Sequence, residues 1–176
     1  MADAGADAHR IVRAVLDRSP RTSAEELGIR SLETPSGLFR LFVLAMLMSA
    51  RIRAAVAEDA ARALFRQRWT TARALAATSW DERARVLDQA GYARYDERTW
   101  TILGEDAELL LDRYRGDLRR LRDAADRDPR AERHLLKELK GIGDVGVDDF
   151  FREAQRSWGE LRVDLDDAYD DVRDAA

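Results

Sequence analysis

Hydrophobic positions recur along this chain at intervals of three and four, the spacing of one face of an α-helix. Ile11, Val12, Val15 and Leu16 make such a stripe over residues 6–18, and Pro20 ends it. Ser23-Ala24-Glu25-Glu26 has capping-box spacing and starts a short turn that Gly28 closes. Pro35 and Ser36 open a helix over 37–50 that is apolar nearly all round, which predicts burial on several sides. Val56, Ala60, Leu64 and Phe65 form the inner stripe of 53–68. Two short helices follow over 71–77 and 81–90, with Ser79 capping the second and Gly91 ending it. The longer helix 96–114 turns Trp100, Leu103, Ala107, Leu110 and Leu111 inward. An arginine-laced helix over 117–125 and a helix opened by Pro129 and running to 139 precede a glycine turn at 141–146. A further helix spans 145–156, and the segment from Glu160 onward is acidic and ambiguous.

Strand patterns are missing from this reading. Beta-branched runs are scarce, Pro and Gly number three and ten, and Ala, Leu, Arg and Glu dominate. The expectation is an all-α, compact multi-helix domain with a helix-hairpin-helix near its C-terminal end. It divides into residues 1–34, an N-terminal helix and a capped turn; 35–159, the helical domain with the hairpin at 141–146; and 160–176, an acidic segment.

Charge changes the picture locally. The 176 residues carry a formal net charge of -4, so a globally basic nucleic-acid coat protein is excluded. Residues 160–176 alone hold seven acids against two arginines, so the rest of the chain is close to neutral. That segment is expected to restrain DNA binding, or to fold back on the eight arginines between 113 and 133.

The absence of cysteine removes disulfides, a thiol nucleophile and thiolate metal or iron–sulfur sites. His9 and His134 lie far apart in sequence, so no metal site is expected. The apolar run from Leu38 to Met48 is too short to span a bilayer, which needs about 20 residues. The N-terminus lacks the apolar centre of a signal peptide, and a cytoplasmic, nucleoid-associated location is expected. Trp80, Trp100, Trp158, Tyr92 and Tyr95 are expected in the core and at helix junctions.

The segment from Leu136 to Gly146 carries the chemical signal. Gly141 and Gly143 flank Ile142, which is expected to fold inward and pin the turn. Glycines there permit positive φ and close backbone approach. The helix that follows, starting around Val145 and Gly146, presents unsatisfied N–H groups that suit a phosphate. The alternative is a plain connector between two packed helices.

The order of segments widens the comparison. An apolar helix ends in Met48-Ser49-Ala50-Arg51; Gly91-Tyr92 follows, then the hairpin, a helix and Val163-Asp164. From residue 35 to 164 this resembles the helix-hairpin-helix DNA glycosylase superfamily, in its endonuclease III-like branch. The resemblance implies that Gly141, Ile142, Gly143, Val145 and Gly146 hold the DNA backbone. It implies that Asp164 is the catalytic aspartate, stabilising the oxocarbenium-like sugar and helping to activate the nucleophile. Arg51 falls where the family places a residue that fills the gap left by a flipped base. No cofactor is implied beyond a monovalent cation at hairpin carbonyls, and the partner is duplex DNA with a damaged or mismatched base.

Three departures bear on the chemistry. Val145 occupies the place of the lysine that forms a Schiff base in bifunctional members, so lyase activity is not expected. The cysteines of the iron–sulfur cluster are missing. Asp144 beside the hairpin is expected to repel phosphate. The function expected is therefore damage recognition in base-excision repair by a monofunctional N-glycosylase. A catalytically inactive DNA-binding module and a helical protein-interaction domain stand as alternatives.

Overall fold

A computed structural model describes residues 22–50, 52–92 and 98–162. The expected helix over 6–18, Arg51, Tyr95, Asp164 and the acidic tail beyond 162 lie outside the described residues. Among the described residues the chain forms nine α-helices and no strand. They are α1 (Ser23–Glu26), α2 (Pro35–Met48), α3 (Ala54–Arg66), α4 (Ala72–Ala76), α5 (Trp80–Gln89), α6 (Arg98–Tyr114), α7 (Leu118–Ala124), α8 (Pro129–Lys137) and α9 (Asp144–Ala154).

Side chains written into the sequence start these helices. Thr34 accepts from the Gly37 N–H at 3.0 Å and Pro35 occupies the first turn of α2. Thr22 with Glu25 and Ser79 with Glu82 form capping boxes on α1 and α5. Asp128 accepts from the Ala131 N–H at 3.0 Å and caps α8, which opens on Pro129. The turn after α1 and the end of α5 place Gly28 and Gly91 at φ of 70° and 80°, where a side chain would be strained.

Helix α2 is the hub. Leu38, Phe39, Leu41, Phe42, Val43, Leu44, Ala45, Met46 and Leu47 are all buried, and α3, α7 and α9 pack around them. This is why its sequence is apolar on nearly every face. A second centre forms on α6, whose Trp100, Leu103, Ala107 and Leu110 meet α4, α5 and α7. Ala24, Ile29 and Leu32 before α2, and Trp158 and Leu161 after α9, enter the same core.

Three features differ from the sequence expectation. The capping box of α1 is Thr22 with Glu25, one residue before the Ser23–Glu26 pair, because Thr22 takes the extended N-cap backbone and its hydroxyl accepts from the Glu25 N–H. Trp80 is 45% exposed, because it sits at the first residue of α5 with its indole N–H donating to Thr101 Oγ1 at 3.2 Å. Trp100, Trp158 and Tyr92 are buried as expected. The hairpin glycines also take no positive φ: Gly143 is extended, at φ -93° and ψ -172°. No helix of the described residues is long and apolar enough to cross a membrane.

Candidate functional site

The turn between α8 and α9 is held from below and from behind. Ile142 is 4% exposed and plugs the turn into the core. Asp106, on the inner face of α6, reaches up to it. One carboxylate oxygen accepts from the Lys140 N–H at 2.7 Å and the other from the Gly141 N–H at 3.0 Å. Burial pushes the Asp106 carboxyl above its ordinary range, against the two backbone hydrogen bonds that favour its charge.

The three glycines of this turn do different work. A Cβ on Gly141 would sit 2.4 Å from Met46 Sδ and 2.8 Å from Ile102 Cγ2, so this position lets the turn lie against α2 and α6. A Cβ on Gly146 would sit 1.9 Å from Ser49 Oγ and 2.9 Å from the Ala45 carbonyl oxygen. Gly146 therefore sets the close crossing of α9 over α2. A Cβ on Gly143 would meet nothing within 4 Å. Gly143 is the N-cap of α9 and supplies no side-chain cap. The first N–H groups of α9 accordingly have no partner within the helix, and Val145 in that turn is 63% exposed.

Beside the turn is a cleft of about 310 Å³. Ser49 and Ala50 at the end of α2, Tyr92, Arg98, Thr99 and Ile102 of α6, and Lys140, Gly141 and Gly143 line it. Among the described residues its charged lining residues are Arg98 and Lys140, with no carboxylate among them. Lys140 itself and the neighbouring Lys137 are paired with acids. Lys140 Nζ lies 2.9 Å from Glu105, and Lys137 Nζ lies 2.7 Å from Asp144. Hydrogen bonding and charge from Lys137 hold the Asp144 carboxyl below its ordinary range, with Arg133 at 3.9 Å adding to this. Asp144, expected to repel phosphate, is thus partly neutralised by the basic end of α8. Such exposed pairs are screened by water and exchange readily for other ions.

The sequence reading and the structure meet in part. Gly141, Ile142, Gly143, Val145 and Gly146 form one turn and helix start, and Ser49–Ala50 and Tyr92 come to its side. Arg51, next in sequence to Ala50, and Asp164 lie outside the described residues. Asp106 and Arg98 were not singled out from sequence. Asp106 had a legible signal: a lone acid three residues beyond Leu103 and four before Leu110, on an otherwise apolar stripe. Among the described residues no group of three or more His, Asp or Glu is placed to hold a metal ion. Comparison with protein-family models, with curated proteins and with solved structures returns no match.

Proposed function

We propose that this chain recognises damaged or mismatched bases in duplex DNA and acts as a monofunctional N-glycosylase of the helix-hairpin-helix kind. One observation carries the reading. Three segments far apart in sequence, the end of α2, the Tyr92 turn and the glycine hairpin, line a single cleft whose charged side chains among the described residues are Arg98 and Lys140. In this reading a backbone phosphate meets the open Gly143 edge and the uncapped start of α9, where N–H groups and the helix dipole favour an anion. A monovalent cation at the hairpin would be held by backbone carbonyls, since Asp106 is engaged by N–H groups. Asp164 is assigned the orientation of water for attack at C1′: the C1′–O bond forms as the glycosidic C–N bond breaks, the base leaves with that bond's electron pair, and the proton lost by the water passes to the Asp164 carboxylate and from there through solvent to the departing base.

The chemistry is tested with a panel of damaged duplexes. Because Val145 offers no amine, base removal should leave an intact abasic strand that breaks only in hot alkali. Borohydride should trap no covalent protein–DNA complex. Trapping that disappears in Lys140→Ala would show that an amine does act and that a monofunctional mechanism is the wrong assignment.

Binding is tested separately. Duplex affinity should fall steadily as salt rises, through counterion release. Gly143→Val places bulk where the phosphate approaches and should weaken binding roughly tenfold, the loss of about one charged hydrogen bond. The fold accepts it: Gly143 is extended and its Cβ position is open. Unchanged affinity in a folded Gly143→Val protein would leave the hairpin as a connector only.

A further inference from the structure

In the first turn of α8, Glu132 is completely buried, and neither of its carboxylate oxygens has a hydrogen-bond donor when it is counted as charged. A polar neighbour is another acid, Glu160, two residues beyond the buried Trp158. Glu160 is itself clamped by Arg122 of α7, with Nε to Oε1 at 2.5 Å and Nη2 to Oε2 at 2.6 Å. The Arg122 guanidinium lies 5.2 Å from the ring centre of Trp158, whose indole stands edge-on to Phe150 at 5.7 Å. Two carboxylates side by side in a buried site repel. The arrangement is satisfied when Glu132 carries a proton and donates it to Glu160, while Glu160 stays ionised against Arg122.

We propose that Glu132, Glu160 and Arg122 form a proton-held latch that docks residues 158–162 on α7 and α8 and loosens as pH rises. It does not rest on the DNA-binding reading.

The charged groups around Glu132 support this assignment. Arg122 comes from α7, Glu160 from the docked segment, and Asp128 from the cap of α8 itself. Helix α9 faces α8 with Asp144 and Asp148, but Lys137 and Arg133 pair with these. Among the described residues one cation, Arg122, thus faces three acids, Glu132, Glu160 and Asp128. Burial pushes the Glu132 carboxyl up to about 8, the hydrogen bond to Glu160 and that group's charge add to it, and Arg122 opposes. Glu160 moves the other way: burial alone would raise it, but the Arg122 hydrogen bonds hold it below its ordinary range.

The sign follows from proton linkage. Docked Glu132 keeps its proton to about pH 8, whereas in an opened segment it titrates near its ordinary 4.5. For Glu132, docking weakens as pH rises from its ordinary value to about 8 and levels off above; the lowered Glu160 carboxyl acts in the opposite sense below its own ordinary value, so docking is strongest near the ordinary carboxylate range.

Amide hydrogen exchange of residues 158–162 tests the latch, with rates corrected for the intrinsic effect of pH. Protection should fall by about tenfold per pH unit between pH 5 and 8. It should also be lower at every pH than that of α2. Glu132→Gln keeps a neutral donor to Glu160 and should remove the slope. A flat profile in the wild type, or the same slope in folded Glu132→Gln, would overturn the latch. So would equal protection of 158–162 and α2, because the segment would then leave only when the whole domain unfolds. If Glu132→Gln does not fold, the wild-type side-chain carboxyl carbon of Glu132 decides by NMR. A midpoint near 8 supports the latch and one in the ordinary carboxylate range overturns it.

Discussion

Gly146→Val is expected to destabilise the domain by about 3 kcal/mol, the upper end of the usual cost of overpacking a core. The first added carbon already falls 1.9 Å from Ser49 Oγ and 2.9 Å from the Ala45 carbonyl oxygen. A serine can rotate, but the second contact is with the backbone of α2, which is buried on nearly all sides. Relief requires α9 to move off α2, and that opens the packing of Val147 and Phe150, both buried. Gly143→Val, three residues earlier, should cost no more than about 1 kcal/mol, as a poorer N-cap alone. Urea unfolding of the two variants makes the comparison, with the midpoint shifted strongly in one and slightly in the other. Equal midpoints would mean that α9 does not cross α2 as closely as described.

Asp106→Ala should cost about 2 kcal/mol, because it leaves the Lys140 and Gly141 N–H groups without an acceptor in a partly buried place. Part of the loss is offset, since the carboxylate itself is held at a desolvation cost. The readout that separates this from a general core defect is local. Exchange of the Lys140 and Gly141 amides should accelerate more than that of α3, and duplex affinity should fall with it. Asp106→Asn keeps one acceptor and should lie between. Burial raises the Asp106 pKa, so the wild type should lose stability relative to Asp106→Asn as pH rises from the free aspartate range through the raised value. If the two amides keep their protection in Asp106→Ala, the turn is held by Ile142 alone and Asp106 is incidental.

Much of the helical framework was legible in the sequence, because it depends on near neighbours. Thr34 before Pro35, Ser79 before Glu82 and Asp128 before Pro129 state where helices begin, and each contact spans only a few residues. The apolar run of α2 announced a helix covered on several sides. Trp80 misled, since an aromatic at a helix start satisfies its indole N–H on the surface as readily as in the core.

The candidate site divides the same way. That Gly141, Ile142 and Gly143 make a turn before a helix follows from local pattern, and so does the burial of Ile142. Which glycine is open and which are wedged against other helices does not. Gly141, Gly143 and Gly146 are identical as residues, and only Met46, Ile102, Ala45 and Ser49, brought from elsewhere in the chain, tell them apart. Likewise Glu132 looks like an ordinary surface acid of α8 until Arg122, Trp158 and Glu160 close over it. By itself, then, the sequence determined where the helices start and stop and which stripes turn inward, since capping and periodicity act over a few residues. Tertiary packing alone decided the anchoring of the hairpin by Asp106, the cleft with Arg98 and Lys140, and the buried acid pair. Those depend on the distance between side chains on different helices, which no spacing along the chain records.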